Sequence, residues 1–232
     1  MKPSGKCTVP DARAAMLARL EAALSDAPRP PEQTSAPAAQ QIDQPDGDAL
    51  LAAFLGNLDM AGVTHYTAAT PQEAADAIRS YLRAAGAHRV AVWEGDVLAG
   101  MAGFDVPGVV RDMGLAVATP HGERPCPDAA RAEVGITGAT AGLAATGTVV
   151  VTSGPGMPRS VSIAAPAHMA LMPQSRILPD LAAYFATLSP TAGLPSAIHA
   201  ISGASSTGDI EFVYVKGAHG PVAVHVIVLG WR

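Results

Sequence analysis

Short apolar segments alternate with amphipathic helical patterns over most of this chain, and this alternation constrains the fold more than any other feature. Residues 49–60 and 71–85 carry apolar side chains at helical spacing, and Gly62 and Gly86 stand where such helices stop. The apolar segments lack a polar face, which is typical of strands buried on both sides. Strands in alternation with helices predict an α/β fold, with a mainly parallel sheet flanked by helices. We expect a further helix at 179–188 and strands at 63–66, 90–93, 115–118, 134–136, 149–152, 160–164, 169–172, 197–201, 211–215 and 222–229.

Residues 1–48 differ in composition from the rest of the chain. A helical pattern at 11–24 is followed at 25–48 by a segment rich in Pro, Gln and Ala, in which no hydrophobic period survives. The apolar residues of the helical pattern are Met16, Leu17, Leu20 and Leu24. We therefore expect an N-terminal amphipathic helix on a mobile linker in 1–48, and one α/β domain in 49–232.

Charge and cysteine content exclude several classes of protein. A net charge of -5 with 15% charged residues provides no basic surface for DNA or RNA. The 2 cysteines, Cys7 and Cys126, are too few for a disulfide framework, a Cys-only zinc site or a four-thiolate iron-sulfur cluster within this chain. Residues 1–10 are polar, and no segment is long and apolar enough to span a membrane, so we expect a cytoplasmic protein.

The segment 201–221 has the composition of a binding site on a loop at the end of a strand. Glycines and small hydroxyl residues offer backbone N–H and O–H groups to an anion, and an Asp-His combination suits general acid-base catalysis. Asp209 is equally suited to cap a short helix. The candidate anion-binding residues are Ser202, Gly203, Ser205, Thr207 and Gly220, and the candidate catalytic residues are Asp209, Glu211 and His219.

A second segment, 133–151, runs from a strand through a small-residue helix or turn into another strand. Its hydroxyls and N–H groups can hold a carboxylate or phosphate, although crowded Gly and Thr also serve tight packing. The candidates here are Thr137, Thr146, Gly147 and Thr148, and Arg159 and His168 follow. A lone histidine before an apolar strand is often a structural, hydrogen-bonded residue, so both roles stay open for His168. These residues lack the local spacing of metal ligands, and we expect no metal site.

Several of these motifs occur together in an order that resembles the lactate-utilisation protein C family (LutC or YkgG), whose members are LUD-domain proteins. The resemblance extends over essentially the whole chain and is densest from 133 to 229. The matching motifs are Val134-Gly135-Ile136-Thr137, Ala144-Ala145-Thr146-Gly147-Thr148, Arg159 with Pro166 and His168, Ser202-Gly203 through Asp209-Ile210-Glu211, and Gly217-Ala218-His219-Gly220-Pro221.

The resemblance implies a domain similar to the NagB/RpiA/CoA-transferase-like fold and a place in a system that oxidises L-lactate to pyruvate. It implies iron-sulfur partner proteins that carry the clusters, no cofactor in this chain, and a crevice at strand ends that binds a small anionic metabolite. The chain departs from the family pattern at Ala145, where an acidic residue is usual, and at Ala204, Ser206 and Gly208. These departures are compatible with an altered ligand or a lost activity.

Two other functions fit the same sequence. The chain is an assembly subunit without catalysis of its own if the N-terminal helix and linker tether it to partners. It is an isomerase- or ligase-like enzyme acting on a phosphorylated or CoA-linked substrate if the crevice itself catalyses. No Walker loop or dinucleotide fingerprint occurs in the chain, which lowers the expectation of nucleotide dependence.

Overall fold

The computed structural model describes residues 12–25, 46–120, 127–188, 193–207, 215–217 and 219–232. The chain separates into two compact units, Met1–Ile42 and Asp43–Arg232. In the first unit, helix α1 (Ala12–Ser25) confirms the helix predicted at 11–24. The large apolar side chains of α1 are exposed, and they are Met16, Leu17, Leu20 and Leu24.

The second unit is built from six α-helices, two single-turn 3₁₀ helices (Ala129–Arg131 and Gln174–Arg176) and twelve strands among the described residues. The helices are α2 (Gly47–Met60), α3 (Pro71–Ala84), α4 (Gly95–Ala102), α5 (Val106–Asp112), α6 (Ser160–Ile163) and α7 (Leu181–Thr187). The strands are β1 (Thr64–Ala68), β2 (Arg89–Val92), β3 (Ala116–Ala118), β4 (Val134–Gly138), β5 (Ala141–Leu143), β6 (Thr148–Ser153), β7 (Ala167–Pro173), β8 (Ile177–Leu178), β9 (Ala197–Ile201), β10 (Ser206–Thr207), β11 (Val215–Lys216) and β12 (Ala223–Leu229).

The main sheet has six strands in the order β1-β12-β7-β4-β2-β3, and every neighbouring pair is parallel. This arrangement confirms the predicted α/β fold with a mainly parallel sheet. From β2 the chain passes to β3 on one side, whereas from β4 it passes to β7 on the other. Because β2 and β4 are neighbours, their carboxyl ends lie at a topological switch point, where open α/β sheets bind ligands.

A second sheet, with the order β8-β5-β6-β9, corrects one part of the sequence analysis. The small-residue segment after β4, expected as a helix or turn, forms strand β5, which pairs antiparallel with β6. Its Gly142 packs so closely against Phe54 and Met172 that a Cβ atom would come within 3.1 Å of both side chains. The residues of β5 are therefore small because helix α2 and the main sheet come close to this strand, and they show no alternating hydrophobic pattern.

Residues 160–164 were expected to form a strand and instead form the single helical turn α6. The adjacent residues Val161 and Ser162 are both buried, which a strand with one buried face does not allow. Helix α6 packs on β4 at Gly135, where a Cβ atom would lie 1.9 Å from the carbonyl oxygen of Val161. Helices α4 and α5 were not predicted from the sequence.

The core lies on both faces of the main sheet. The largest fully buried side chains come from the sheet and from α2, α3 and α4, and they include Phe54, Leu58, Ile78, Leu82, Trp93 and Leu98. Helix α3 begins as predicted with Pro71 in its first turn, and the Thr70 hydroxyl accepts a hydrogen bond from the Glu73 N–H at 3.2 Å. Local capping and burial of one apolar face thus fix the helices that support the sheet.

Candidate functional site

Three of the predicted anion-binding hydroxyls meet at one end of the second sheet. Thr146 Oγ1 lies 2.6 Å from Thr148 Oγ1, which lies 2.7 Å from Ser202 Oγ. Strands β6 and β9 are antiparallel, so the start of β6 is brought beside the residue that follows β9. Thr148 is buried, whereas the residues at both ends of this hydroxyl chain are exposed. The three side chains therefore form one hydrogen-bonded group, the hydroxyl chain, and their role in anion binding stays a prediction.

The glycines beside this group pack against the end of α2. Gly147 has a φ of 60°, and a Cβ atom there would lie 2.6 Å from the Leu58 nitrogen. Gly203 has a φ of 115°, and its Cβ would lie 3.0 Å from the Ala61 carbonyl oxygen. Glycine is required at both positions by conformation and by close backbone approach. A ligand-binding role for Gly147 and Gly203 stays a prediction.

A second predicted group lies at the amino ends of β7 and β12. The Ser205 N–H donates to the Pro221 carbonyl at 2.8 Å, and the His219 N–H donates to Ser205 Oγ at 3.4 Å. The Val222 N–H donates to the carbonyl of Pro166, the residue before β7. Gly220 also lies close to Ser205, while the side chain of His219 is exposed. Of the remaining candidates in this loop, the side chain of Thr207 and all of Asp209 and Glu211 lie outside the described residues.

The third predicted group is a pair, Thr137 and His168, which lies inside the main sheet. Thr137 Oγ1 and His168 Nε2 are 2.9 Å apart, and both residues are 0% exposed. His168 is the second residue of β7 rather than the residue before the strand. Its Nδ1 has no hydrogen-bond partner within the described part of the chain.

Burial determines the protonation state of His168. Desolvation, reinforced by repulsion from His199, lowers the pKa of His168 from 6.5 to about 4. His225, on the opposite face of the sheet, stacks on Tyr81 with ring centroids 4.5 Å apart. Burial likewise lowers the pKa of His225 to about 4, with a smaller contribution from His65. Both imidazoles are therefore neutral at pH 7.

Arg159 lies apart from all of these groups, at a cavity of about 1080 Å³. Its side chain is exposed and makes no ion pair with a carboxylate of the described residues. We call this cavity the Arg159 pocket, and its described lining is Pro120, Ala129, Ala130, Ser153, Gly154, Pro155, Gly156, Met157, Pro158, Arg159, Ser160, Ala164, Leu194, Pro195, Ser196 and Ala197.

The wall of the Arg159 pocket is anchored to the switch point of the main sheet. The Gly156 carbonyl accepts a hydrogen bond of 3.0 Å from the N–H of Glu94, which follows β2. The N–H and hydroxyl of Ser196 both donate to the Ser153 carbonyl at 3.2 Å, so the loop before β9 is fixed to the end of β6. The pocket thus combines one guanidinium, three serines and a position beside the carboxyl end of β2.

The hydroxyl chain and the Arg159 pocket are separate sites. Thr148 begins β6 and Ser153 ends it, and five steps of about 3.3 Å place them roughly 17 Å apart. The predicted residues are therefore distributed over four places: the hydroxyl chain, the loop around Ser205, His219 and Gly220 (the amino-end loop), the buried Thr137–His168 pair and the Arg159 pocket. Ser153, Ser160 and Ser196 were not among the predicted site residues. The turn-rich run from Gly154 to Pro158, between β6 and α6, was a signal for a loop at a strand end beside two of these serines.

The described residues lack a metal-ligand cluster and a membrane-spanning helix. No group of three or more His, Cys, Asp or Glu side chains is placed to hold a metal ion in that part of the chain. No helix there is long and apolar enough to cross a membrane. Cys7 and Cys126 lie outside the described residues.

The comparison with protein families is decisive for classification. The family described as LUD domain matches residues 51–229, which is most of the chain and nearly all of its second unit. The chain belongs to the LUD domain family. This LUD domain contains the main sheet, the second sheet, the hydroxyl chain and the Arg159 pocket. The resemblance inferred from the motifs is confirmed.

Curated relatives match part of this LUD protein. It is 41% identical over 113 residues to lactate utilization protein C of Halalkalibacterium halodurans, with 47% of this chain and 49% of the relative covered. It is 37% identical over 115 residues to lactate utilization protein C of Bacillus subtilis, with 48% of each chain covered. It is 40% identical over 105 residues to uncharacterized protein YkgG of Escherichia coli, with 43% of this chain and 46% of that protein covered. The matched region spans about half the length of these relatives.

A solved structure supports the fold. A DUF162 family protein from Deinococcus radiodurans matches with a TM-score of 0.56 and 19% identity. The match covers 80% of this chain and 99% of that chain. The likeness concerns the architecture alone.

Proposed function

We propose that this LUD protein is a component of a system that oxidises L-lactate to pyruvate, and that it binds a small anionic metabolite in the Arg159 pocket. Support for lactate utilisation comes from the relatives named lactate utilization protein C. Support for the ligand site comes from the pocket's position beside the carboxyl end of β2, at the topological switch point.

The guanidinium of Arg159 is the observation that carries the proposed ligand. An arginine binds a carboxylate through two parallel N–H donors, so it fixes both the position and the orientation of the anion. Ser153, Ser160 and Ser196 lie on the same wall and supply hydroxyls for a second polar group.

The side chains of the described pocket lining favour binding rather than oxidation. Removal of two electrons from L-lactate requires a proton acceptor and an electron acceptor, and the described lining of the pocket contains no His, Asp or Glu. We therefore assign to this chain the binding and orientation of the anion, and to iron-sulfur partner proteins the transfer of electrons. Asp209, Glu211 and His219 remain predicted catalytic residues, and the exposed His219 lies at the amino-end loop, outside the described pocket lining.

Growth tests the role in lactate utilisation. The gene is deleted in its own host, and growth is measured on L-lactate and on pyruvate as the sole carbon source. We expect growth to be lost on L-lactate, retained on pyruvate and restored by the gene supplied in trans. Undiminished growth of the deletion strain on L-lactate would contradict the proposal.

A role in assembly is favoured by a separate observation, the exposed apolar face of α1. Leu17 and Leu20 are about half exposed, and the other described side chains of α1 are exposed as well, so these leucines are accessible to a partner protein. The test is co-purification of the tagged full chain with the iron-sulfur proteins expressed from the same host, followed by assay of iron and sulfide. We expect the L17Q/L20Q variant to lose these proteins and the A18Q/A22Q variant, altered on the other side of the helix, to keep them. Equal recovery with both variants excludes α1 as the tether.

A further inference from the structure

The Arg159 pocket is much larger than a three-carbon acid. L-Lactate has six non-hydrogen atoms, and at the volume of a water molecule in the liquid, about 30 Å³ for each, it would fill about 180 Å³. The cavity of about 1080 Å³ is six times that volume. It lies slightly above the range of about 300 to 1,000 Å³ that is typical of pockets for drug-sized ligands.

The wall of the pocket is apolar over most of its residues. Four prolines, four alanines, one leucine and one methionine make up ten of the sixteen described lining residues, and two glycines add backbone surface. The polar side chains are those of Arg159 and of the serines at 153, 160 and 196. The described lining of the Arg159 pocket thus combines one cationic side chain with an extended apolar surface.

Polar and apolar parts of a ligand have to match these two parts of the pocket. A three-carbon acid bound to Arg159 would leave most of the apolar wall against water, at no gain in binding. A ligand with several charges would pair one of them with Arg159, whereas the apolar part of the described wall offers the others no partner. A ligand with one anionic head and an apolar body satisfies both parts.

We infer that the Arg159 pocket takes an amphipathic anion, in which a single carboxylate or phosphate head binds Arg159 and an aliphatic or aromatic body lies along the Pro/Ala/Met/Leu wall. The inference rests on the proposed function, because the same pocket is the ligand site there, and it replaces a three-carbon acid with a larger substrate class. Rigid prolines at 120, 155, 158 and 195 form much of this wall, so it needs little ordering when the body binds.

Calorimetric titration of the full chain distinguishes the two ligand classes. The probes are L-lactate, octanoate, octyl phosphate and 1-octanol, with the two octyl anions kept below their micellar concentrations and 1-octanol below its solubility limit. Each methylene that becomes fully buried raises affinity by a factor of about four. We expect octanoate to bind at least about 50-fold more tightly than L-lactate, and 1-octanol to bind more weakly than octanoate. The ratio of octanoate to octyl phosphate identifies the preferred head group.

Two variants assign the binding to this pocket. Arg159→Gln removes the cation and should weaken octanoate at least about tenfold, with little effect on 1-octanol. Ala130→Trp places an indole in the cavity from an exposed position and should weaken octanoate while L-lactate is unaffected. Unfolding curves of both variants are compared with that of the wild type, so that a folding defect is recognised.

The possible results separate this inference from the proposed function. If L-lactate binds as tightly as octanoate and depends on Arg159, the larger ligand class is wrong and the small-anion site stands. Octanoate binding that is insensitive to both variants, or absent, overturns the inference. The growth test on L-lactate is independent of all these titrations.

Discussion

Acidification is expected to destabilise this LUD domain through two histidines that are buried in their neutral form. Burial lowers the pKa of His168 and of His225 from 6.5 to about 4. In the unfolded chain both imidazoles take up a proton near pH 6.5. Between pH 6.5 and 4 the unfolded state therefore binds more protons than the folded state, so stability falls as pH falls through this range.

The magnitude follows from the two pKa values. For one histidine with a pKa of about 6.5 unfolded and about 4 folded, the free energy of unfolding decreases by about 2 kcal/mol between pH 7 and pH 5. Two such histidines give about 4 kcal/mol, which is a large fraction of the roughly 5–15 kcal/mol that stabilises a typical domain. Asp76 and Glu133, whose pKa values are lowered from 3.8 and 4.5, lose their contribution mainly below pH 5. The window from pH 7 to 5 therefore isolates the histidines.

Urea unfolding followed by tryptophan fluorescence measures this dependence, because Trp93 is fully buried in the folded state. We expect His168→Gln to remove about half of the wild-type loss between pH 7 and 5, whatever its effect on stability at pH 7. His88→Gln, at an exposed histidine, is the control and should keep the full dependence. If His168→Gln retains the full wild-type dependence on pH, the assignment of a buried neutral imidazole is wrong.

Other predictions concern close packing and the hydroxyl chain. Gly135→Ala places a Cβ atom against the Val161 carbonyl and should cost at least about 2 kcal/mol, as thermal or urea unfolding will show; a smaller cost would mean that α6 does not press on β4. Gly56→Ala, in an exposed position of α2 with no atom near the new Cβ, should instead stabilise the domain by about 0.5–1 kcal/mol. Thr148→Val removes the central hydroxyl of the hydroxyl chain. It should lower the free energy of unfolding by only about 1 kcal/mol in the same measurement, because the two flanking hydroxyls can turn to water. An unchanged free energy of unfolding would show that the hydroxyl chain adds nothing to stability.

The helices and the parallel strands could be predicted from local pattern. In α3 the apolar residues recur at helical spacing, and Thr70 and Pro71 mark its start. The apolar run before Trp93 forms a strand because both of its faces are covered. These features depend on neighbours in the sequence, so one chain was sufficient to predict them.

Strands β6 and β9 of the second sheet were predicted, but β5, β8 and the pairing of the four strands could not be predicted in this way. The segment that forms β5 contains small residues without a hydrophobic period, and its partners β6 and β8 lie further along the chain. Helix α6 is a single turn, and its buried Val161 and Ser162 depend on contact with Gly135. Tertiary packing, rather than local preference, decides both elements.

The candidate site shows the same division. Thr148 and Ser202 were assigned to one anion from their residue type, and they meet although 54 positions separate them. Arg159 was assigned to the same site, yet it lies at the Arg159 pocket beyond the far end of β6. The direction of β6 and its pairing with β9 decide this separation, and neither can be inferred from motif order. The residue types thus predicted which side chains offer polar groups to an anion. They did not predict which of these side chains lie together in the fold.

Growth of the deletion strain supplied with Arg159→Gln tests the central claim most directly, because it joins the pocket to lactate utilisation in a single measurement. The strain receives the wild-type gene, Arg159→Gln or Arg111→Gln, an exposed arginine outside the described pocket lining, at protein levels matched by immunoblot. We predict that the wild type and Arg111→Gln restore growth on L-lactate, and that Arg159→Gln does not. Full restoration by Arg159→Gln would contradict the claim that this LUD protein acts through the Arg159 pocket.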